Sequence, residues 1–164
     1  MALHEQCVGA TDEWYTPLHV FDAMNTMFDI DVASPQKKTF VPAREFITAD
    51  SLSKSWAGFV WMNPPFGKRN GLIPWLTKFV AHANGVCLVP DRTSAPWWQS
   101  YVPQMDLVLF VSPKIHFIDV NGNPGRSPAQ GTNLCAIGGQ GVEALLNASH
   151  NGLGVLFIPT IKLG

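Results

Sequence analysis

Short, uninterrupted apolar runs do most to restrict what this chain can fold into. Val60-Trp61-Met62 is of the sort found in a strand buried on both faces of a sheet, because a half-exposed strand alternates apolar with polar residues. VCLVP (86–90), LVLFV (107–111), LCAIG (134–138) and VLFIP (155–159) read as further strands, with helical spacing between several of them in LIPWLTKFVAHA (72–83), SAPWWQSYV from near Ser94, and VEALLNAS (142–149). Upstream, Thr16-Pro17 followed by LHVFDAMNTMF reads as a helix start with Thr16 as N-cap and Pro17 at the first helical position. Val20, Phe21, Met24, Met27 and Phe28 stand at helical spacing behind it. FDIDVAS (28–34) reads as a short strand with carboxylates at or near its C-terminal end, and FVPAREFITAD (40–50) holds another ending at Asp50. Strands alternating with helices predict an α/β fold with a mostly parallel sheet and helices on both faces. Ligands in such sheets sit beyond the carboxyl ends of the strands, where Asp31, Asp50, Asn63 and Asp91 fall in this reading.

At 164 residues the chain is one domain, 1–164, and 46% hydrophobic with 14% charged residues excludes a disordered polypeptide. Residues 1–10 read as disordered, and 119–133, with four Asn or Asp, three Gly and two Pro, as a mobile loop. No stretch approaches the roughly 20 apolar residues of a membrane helix, and MALHEQCVGA has no basic and apolar leader pattern, so a soluble, intracellular protein is expected. The three cysteines, 7, 87 and 135, supply neither a disulfide framework nor a metal pair, and the five histidines form no metal motif, so no metal is expected. Residues 1–58 carry eight acids against four bases, while 59–164 carry four acids against seven bases. That asymmetry fits one region serving a cation and the other a polyanion, or an ordinary surface scatter.

The sharpest motif is Asn63-Pro64-Pro65-Phe66, directly after the buried run. Two successive prolines remove two donors and fix two φ angles, so the carbonyls of Asn63 and Pro64 can belong to no continuing helix or ladder. The amide oxygen of Asn63 and the carbonyl of Pro64 can together accept both hydrogens of an amine, drawing its lone pair out of conjugation. Phe66 then offers a ring on which a flat base can stack. The same residues also suit a strand closed by a rigid turn, with Phe66 in the core.

The tetrapeptide resembles the signature of amino-methyltransferases that use S-adenosylmethionine. Together with Asp12-Glu13-Trp14-Tyr15-Thr16-Pro17, then Phe28 to Ser34, then Asp50-Ser51-Leu52 and Trp56, it is similar in order to the phage-type DNA adenine-N6 methyltransferases. The match covers about residues 11–70, with looser similarity through Arg92, Trp97 and Trp98 to about 138. The resemblance implies a single-domain Rossmann-like methyltransferase fold, S-adenosylmethionine as cofactor with S-adenosylhomocysteine as product, and double-stranded DNA as partner, in the cytoplasm, of the host cell if phage-encoded. It implies catalytic roles for Asn63, Pro64, Pro65 and Phe66, and cofactor binding by Trp14, Tyr15, Thr16, Pro17, Asp31, Ala33, Asp50 and Asn63. Asp31 also reads as a solvated strand-end acid, and Asp50 as an N-cap for SLSKSW.

Two departures stand out. Val32-Ala33-Ser34-Pro35 replaces the usual glycine-rich loop, and the stretch from Asp31 to Asn63 is too short for two complete strand-helix units, so an abbreviated cofactor-binding half is expected. The implied reaction is in-line attack by the N6 of a flipped-out adenine on the sulfonium methyl, with no metal and no covalent enzyme intermediate. For DNA contact the basic candidates are Lys68, Arg69, Arg92 and Arg126, with Lys78 open between a phosphate contact and a solvated helix face. Specificity would come from loops such as 119–133, which predicts a short target. Another amine substrate (cytosine N4, an RNA adenine or a protein glutamine), or an inert phage DNA-binding module, are the competing readings.

Overall fold

The computed structural model describes residues 14–67 and 70–160. Its first helix, α1 (Leu18–Met24), ends where Asn25 turns left-handed at φ 47° and gives its N–H to Phe21 and Asp22. Asn147 of a later helix, α4 (Gly139–His150), and Asn151, its C-cap, close the last turn: Asn151 donates to the Ala23 carbonyl at 2.9 Å and Asn147 to that of Met24 at 3.3 Å. Orphan helix carbonyls are thereby satisfied. Pro17 occupies the cap position and no side chain caps the helix, so Thr16 is not the N-cap. Met27 is exposed and Phe28 opens the first strand, which ends the helical face at Met24.

The strands are β1 (Phe28–Asp31), β2 (Ala43–Phe46), β3 (Val60–Met62), β4 (Gly85–Pro90), β5 (Leu107–Val111), β6 (Thr132–Ile137) and β7 (Gly154–Phe157), in the sheet order β2-β1-β3-β4-β6-β5-β7. Every strand segment read from the sequence is present, although β2 stops at Phe46, short of Asp50. The pairings β1 to β2, β1 to β3 and β3 to β4 are parallel, while β4 to β6, β5 to β6 and β5 to β7 are antiparallel. The parallel expectation holds for the first four strands in space, and β6 and β7 make the sheet mixed. Through the 112–131 connection the chain leaves β5 and re-enters the sheet from the same end, so β6 runs backward.

Side chains alternate between the two faces. Phe59, Trp61, Val86, Leu88, Leu107, Leu109, Leu134 and Ala136 face α1 and α4, whereas Val60, Met62, Cys87, Val89, Val108 and Cys135 face α2 (Ile73–His82) and α3 (Pro96–Tyr101). Helices therefore cover both faces, as expected. Trp97 and Trp98 are both half-buried against the second face, so neither is left free on the surface. Cys87 and Cys135 sit opposite each other across β4 and β6 as buried free thiols, and burial pushes the Cys87 thiol well up. Among the described residues no helix is long and apolar enough to cross a membrane.

One local irregularity aligns the sheet with the site. The N–H groups of Asp29 and Ile30 both point at the Phe59 carbonyl, at 2.8 and 3.4 Å, which is a bulge in β1. Across it Phe28 faces α1 while Ile30 faces the opposite side. The Asp29 carboxylate braces the bulge, accepting the Phe59 N–H and an Arg44 guanidinium N–H, each at 2.8 Å. Gly58 makes room for it: φ is +72° there, and a Cβ would lie 2.3 Å from Asp29 Oδ2.

Gly58→Ala is expected to cost about 2 kcal/mol or more, from left-handed strain plus overpacking. Gly122→Ala, at a similar φ of +83° with nothing within 4 Å, should cost less. Urea unfolding of both variants is the check, and equal losses would remove the packing argument.

Candidate active site

The carboxyl ends of β1, β3 and β4 open into one cleft of about 1640 Å³. It gathers twelve residues singled out from the sequence: Trp14, Tyr15, Thr16, Asp31, Ala33, Asp50, Asn63, Pro64, Pro65, Phe66, Arg92 and Arg126. Pro17 does not line it and serves instead to start α1. Lys68 and Arg69, like residues 1–13, lie outside the described residues.

β3 delivers the tetrapeptide. Met62, the last strand residue, pairs with Cys87, and the prolines then release the chain from the ladder. Pro64 is buried, Asn63 half-buried, and Phe66 is 37% exposed, so Phe66 is a surface of the cleft and no part of the core. Asn63 Nδ2 donates to Thr16 Oγ1 at 3.2 Å. Among the described residues no donor bonds its amide oxygen or the Pro64 carbonyl, and both lie beside an exposed aromatic face, which suits a flat molecule bearing an amine.

β1 ends in Asp31, whose side chain is only 3% exposed. Burial pushes its carboxyl up to about 7, against the downward pull of the Ala33 N–H at 3.1 Å and of the Ser34 hydroxyl. A strand-end acid exposed to solvent would show none of this, so the reading of Asp31 as a solvated acid is set aside. A buried carboxylate lining a cleft is suited to a cationic or donor-rich ligand.

The opposite wall is a turn. Asp50 has φ 55° and its carbonyl accepts the Ser53 N–H at 2.9 Å; no helix follows, so Asp50 caps nothing and its exposed carboxylate is free to meet a ligand. Lys78 from α2 fastens this turn by donating to the carbonyls of Ser51 at 2.8 Å, Leu52 at 3.0 Å and Lys54, with its ammonium 4.7 Å from the Trp56 ring centre. Trp56 Nε1 donates to Ser51 as well, at 3.0 Å to its hydroxyl. Lys78 is thus a brace of the cleft wall and not a phosphate contact. Nothing in the sequence pointed to that role, since its three acceptors are backbone atoms.

The third wall is the 112–131 connection. Tyr15 and Ile118 exchange two backbone hydrogen bonds, at 2.8 and 2.9 Å, and Ile118 bridges on to Pro124. Asp119 accepts N–H groups of Asn121 and Asn123 at 2.8 and 2.9 Å, which holds its carboxyl below the ordinary range. Gly125 abuts the Trp14 ring so closely that a Cβ would come within 2.4 Å of it. The segment read as a mobile loop therefore carries its own hydrogen-bonded framework, and its last two residues, Thr132 and Asn133, already belong to β6. Arg126 is exposed along this wall, and Arg92 is oriented by Gln130, to which its Nε donates at 2.8 Å. Thr132 also lines the cleft, with a buried hydroxyl that has no partner among the described residues. Among the described residues no three His, Cys, Asp or Glu side chains gather as a metal site would require.

In the comparison with protein families, residues 5–138 match the family model described as DNA N-6-adenine-methyltransferase (Dam). Comparison with curated proteins and with solved structures gave no match. With most of its length covered by that model, the chain belongs to the DNA N-6-adenine-methyltransferase (Dam) family and is an enzyme that methylates adenine N6 in DNA.

Proposed function

We propose that the chain transfers the methyl group of S-adenosylmethionine directly to the N6 amine of an adenine rotated out of double-stranded DNA. The observation that carries this reading is the pair of free acceptors, Asn63 Oδ1 and Pro64 O, next to exposed Phe66 in a cleft that also holds buried Asp31. Two acceptors match the two hydrogens of N6, and the Phe66 ring supports stacking of the base. As N6 bonds the methyl carbon the carbon–sulfur bond breaks, leaving S-adenosylhomocysteine, and one N6 proton passes to solvent. We assign no general base, and in this reading the residues act by positioning and by orienting acceptors toward charge that develops on N6.

The donor set fits the cofactor. Its sulfonium methyl supplies the chemistry, and its ammonium, hydroxyls and amine are donors suited to acceptor-only carboxylates. In this reading Trp14, Tyr15 and Thr16 form the methionine end, Asp31 and Ala33 the strand-end contact, and Asp50 the adenosine wall. The fold is then a single Rossmann-like methyltransferase domain with an abbreviated cofactor half, since the described residues hold no helix between β1 and β3. Arg92 and Arg126 flank the open side, toward phosphates.

The decisive experiment incubates labelled S-adenosylmethionine with unmethylated DNA and identifies the product nucleoside by mass. N6-methyladenine is expected from the wild type and a loss of at least a hundredfold in Asn63→Ala. RNA or protein outcompeting DNA as acceptor would overturn the proposed substrate.

Asp31 gives a test of opposite signs. Its folded-state value of about 7 lies above the ordinary 3.8, so the native state holds a proton that the unfolded chain has lost between those values. Its contribution to stability is complete below about pH 4 and is lost as pH rises through about 7. Asp31→Asn should therefore stabilise the ligand-free fold at pH 8, by up to a few kcal/mol, with little effect at pH 4, while weakening cofactor binding. Wild-type affinity should fall below pH 7 as the carboxylate takes up its proton. Thermal melts and calorimetry at both pH values check this; undiminished affinity in Asp31→Asn would remove Asp31 from the cofactor site.

Arg92→Ala and Arg126→Ala should each lower the slope of log Kd for DNA against log salt by about one phosphate contact. Binding isotherms at several salt concentrations measure it, and unchanged slopes would place DNA elsewhere.

A further inference from the structure

A side-chain amide has two ends of almost equal shape, and only its oxygen can serve an amine. Turned by 180°, Asn63 would present two N–H donors to a nitrogen that itself brings two hydrogens. The prolines after it fix the backbone, leaving the last side-chain torsion free. The contact that selects the torsion comes from 47 residues earlier in the chain: Thr16 Oγ1 receives the Asn63 Nδ2 proton at 3.2 Å.

Thr16 is well placed to hold that amide. It is 3% exposed. On one side Tyr15 is fixed by its two backbone bonds to Ile118, and on the other Pro17 accepts the Val20 N–H of α1 at 3.1 Å. The hydroxyl has no capping duty, because α1 has no side-chain cap. A hydroxyl can act as donor or acceptor, so the bound amine, which needs an acceptor facing it, and Thr16, acting as acceptor behind, agree on one orientation of the amide between them.

We propose that Thr16 is a positioning residue for methyl transfer: by accepting Nδ2–H it holds the Asn63 amide with its oxygen toward the substrate amine. The proposal rests on the reading of Asn63 as the amine acceptor. It differs from a purely cofactor-binding role for Thr16, which would act on cofactor affinity and leave the chemical step alone.

The test compares Thr16→Val, which keeps the shape and removes the acceptor, with Thr16→Ser, which keeps the hydroxyl. In Thr16→Val kcat at saturating cofactor is expected to fall about tenfold, the scale of one neutral hydrogen bond, over and above any rise in the cofactor KM. Thr16→Ser should recover most of the rate. A rise confined to the cofactor KM, or a wild-type kcat in Thr16→Val, overturns the proposal. A second readout is independent of turnover. In ¹⁵N-labelled wild-type protein, the Asn63 side-chain NH₂ pair, identified by its loss in Asn63→Ala, should show slowed hydrogen exchange that disappears in Thr16→Val and persists in Thr16→Ser. A wild-type pair exchanging as fast as an exposed asparagine overturns the proposal even if Thr16→Val does not fold. Absence of methyl transfer by the wild type would refute the amine-acceptor reading, and the exchange data would then decide the Thr16 contact separately.

Discussion

Parallel pairing of β1 with β3 sets the geometry of the cleft before any loop is considered. Asp31 lies opposite Trp61, and the Val32 N–H reaches the Trp61 carbonyl at 3.0 Å, so the buried carboxylate ends its strand two residues short of Asn63 on the next one. Adjacent strands are separated by about 4.8 Å, which makes the two strand ends neighbours by construction. Register is therefore critical, because a one-residue slip would turn Asp31 to the other face. The bulge at Asp29 and Ile30 sets that face, and Asp29 with Gly58 sets the bulge. Asp29 and Asp31 look alike in FDIDVAS, yet one braces backbone from a half-exposed position while the other is buried in the cleft wall.

The structure spends stability to keep that wall. A carboxylate removed from water is strongly disfavoured in its charged form, and one backbone N–H and one hydroxyl offset only part of the cost. Without a ligand the ionised Asp31 is a weak point; with a cationic or donor-rich ligand the same desolvation strengthens the attraction. The turn at 50–54 shows a different economy. No helix supports it, and a single ammonium on α2 ties together three of its carbonyls. Lys78 thus substitutes for an element of secondary structure in this wall of the cleft.

Much of this was legible in the sequence because burial leaves a periodic trace. The apolar runs located the strands, and the Pro-Pro pair after Met62 pointed to the floor of the cleft, since two missing donors at a strand end release the chain from the ladder. Sheet direction was not legible. The connections 32–42 and 112–131 both lack helices, yet the first joins parallel strands and the second leads into an antiparallel one. Composition carries no information on which side of the sheet a loop returns. The role of Thr16 was hidden for another reason. Thr-Pro before a helix is a capping pattern, and the structure uses the proline for the cap position and the threonine for a contact with Asn63. Long-range pairs between a hydroxyl and an amide leave no local signature.

The antiparallel return of β6 has a consequence for how the proposed DNA face is built. Because the chain leaves β5 and re-enters at the same end, Phe117 and residues 124–131 come to line the cleft at the carboxyl ends where Asn63 and Asp31 emerge. The return also lets Ile118 pair with Tyr15, so the wall that carries Arg126 and Gln130 shares a backbone ladder with the segment that presents Thr16. Gly125 against Trp14 tightens the same junction. The candidate phosphate contacts and the candidate amine cradle are in this way joined through two hydrogen bonds and one ring contact.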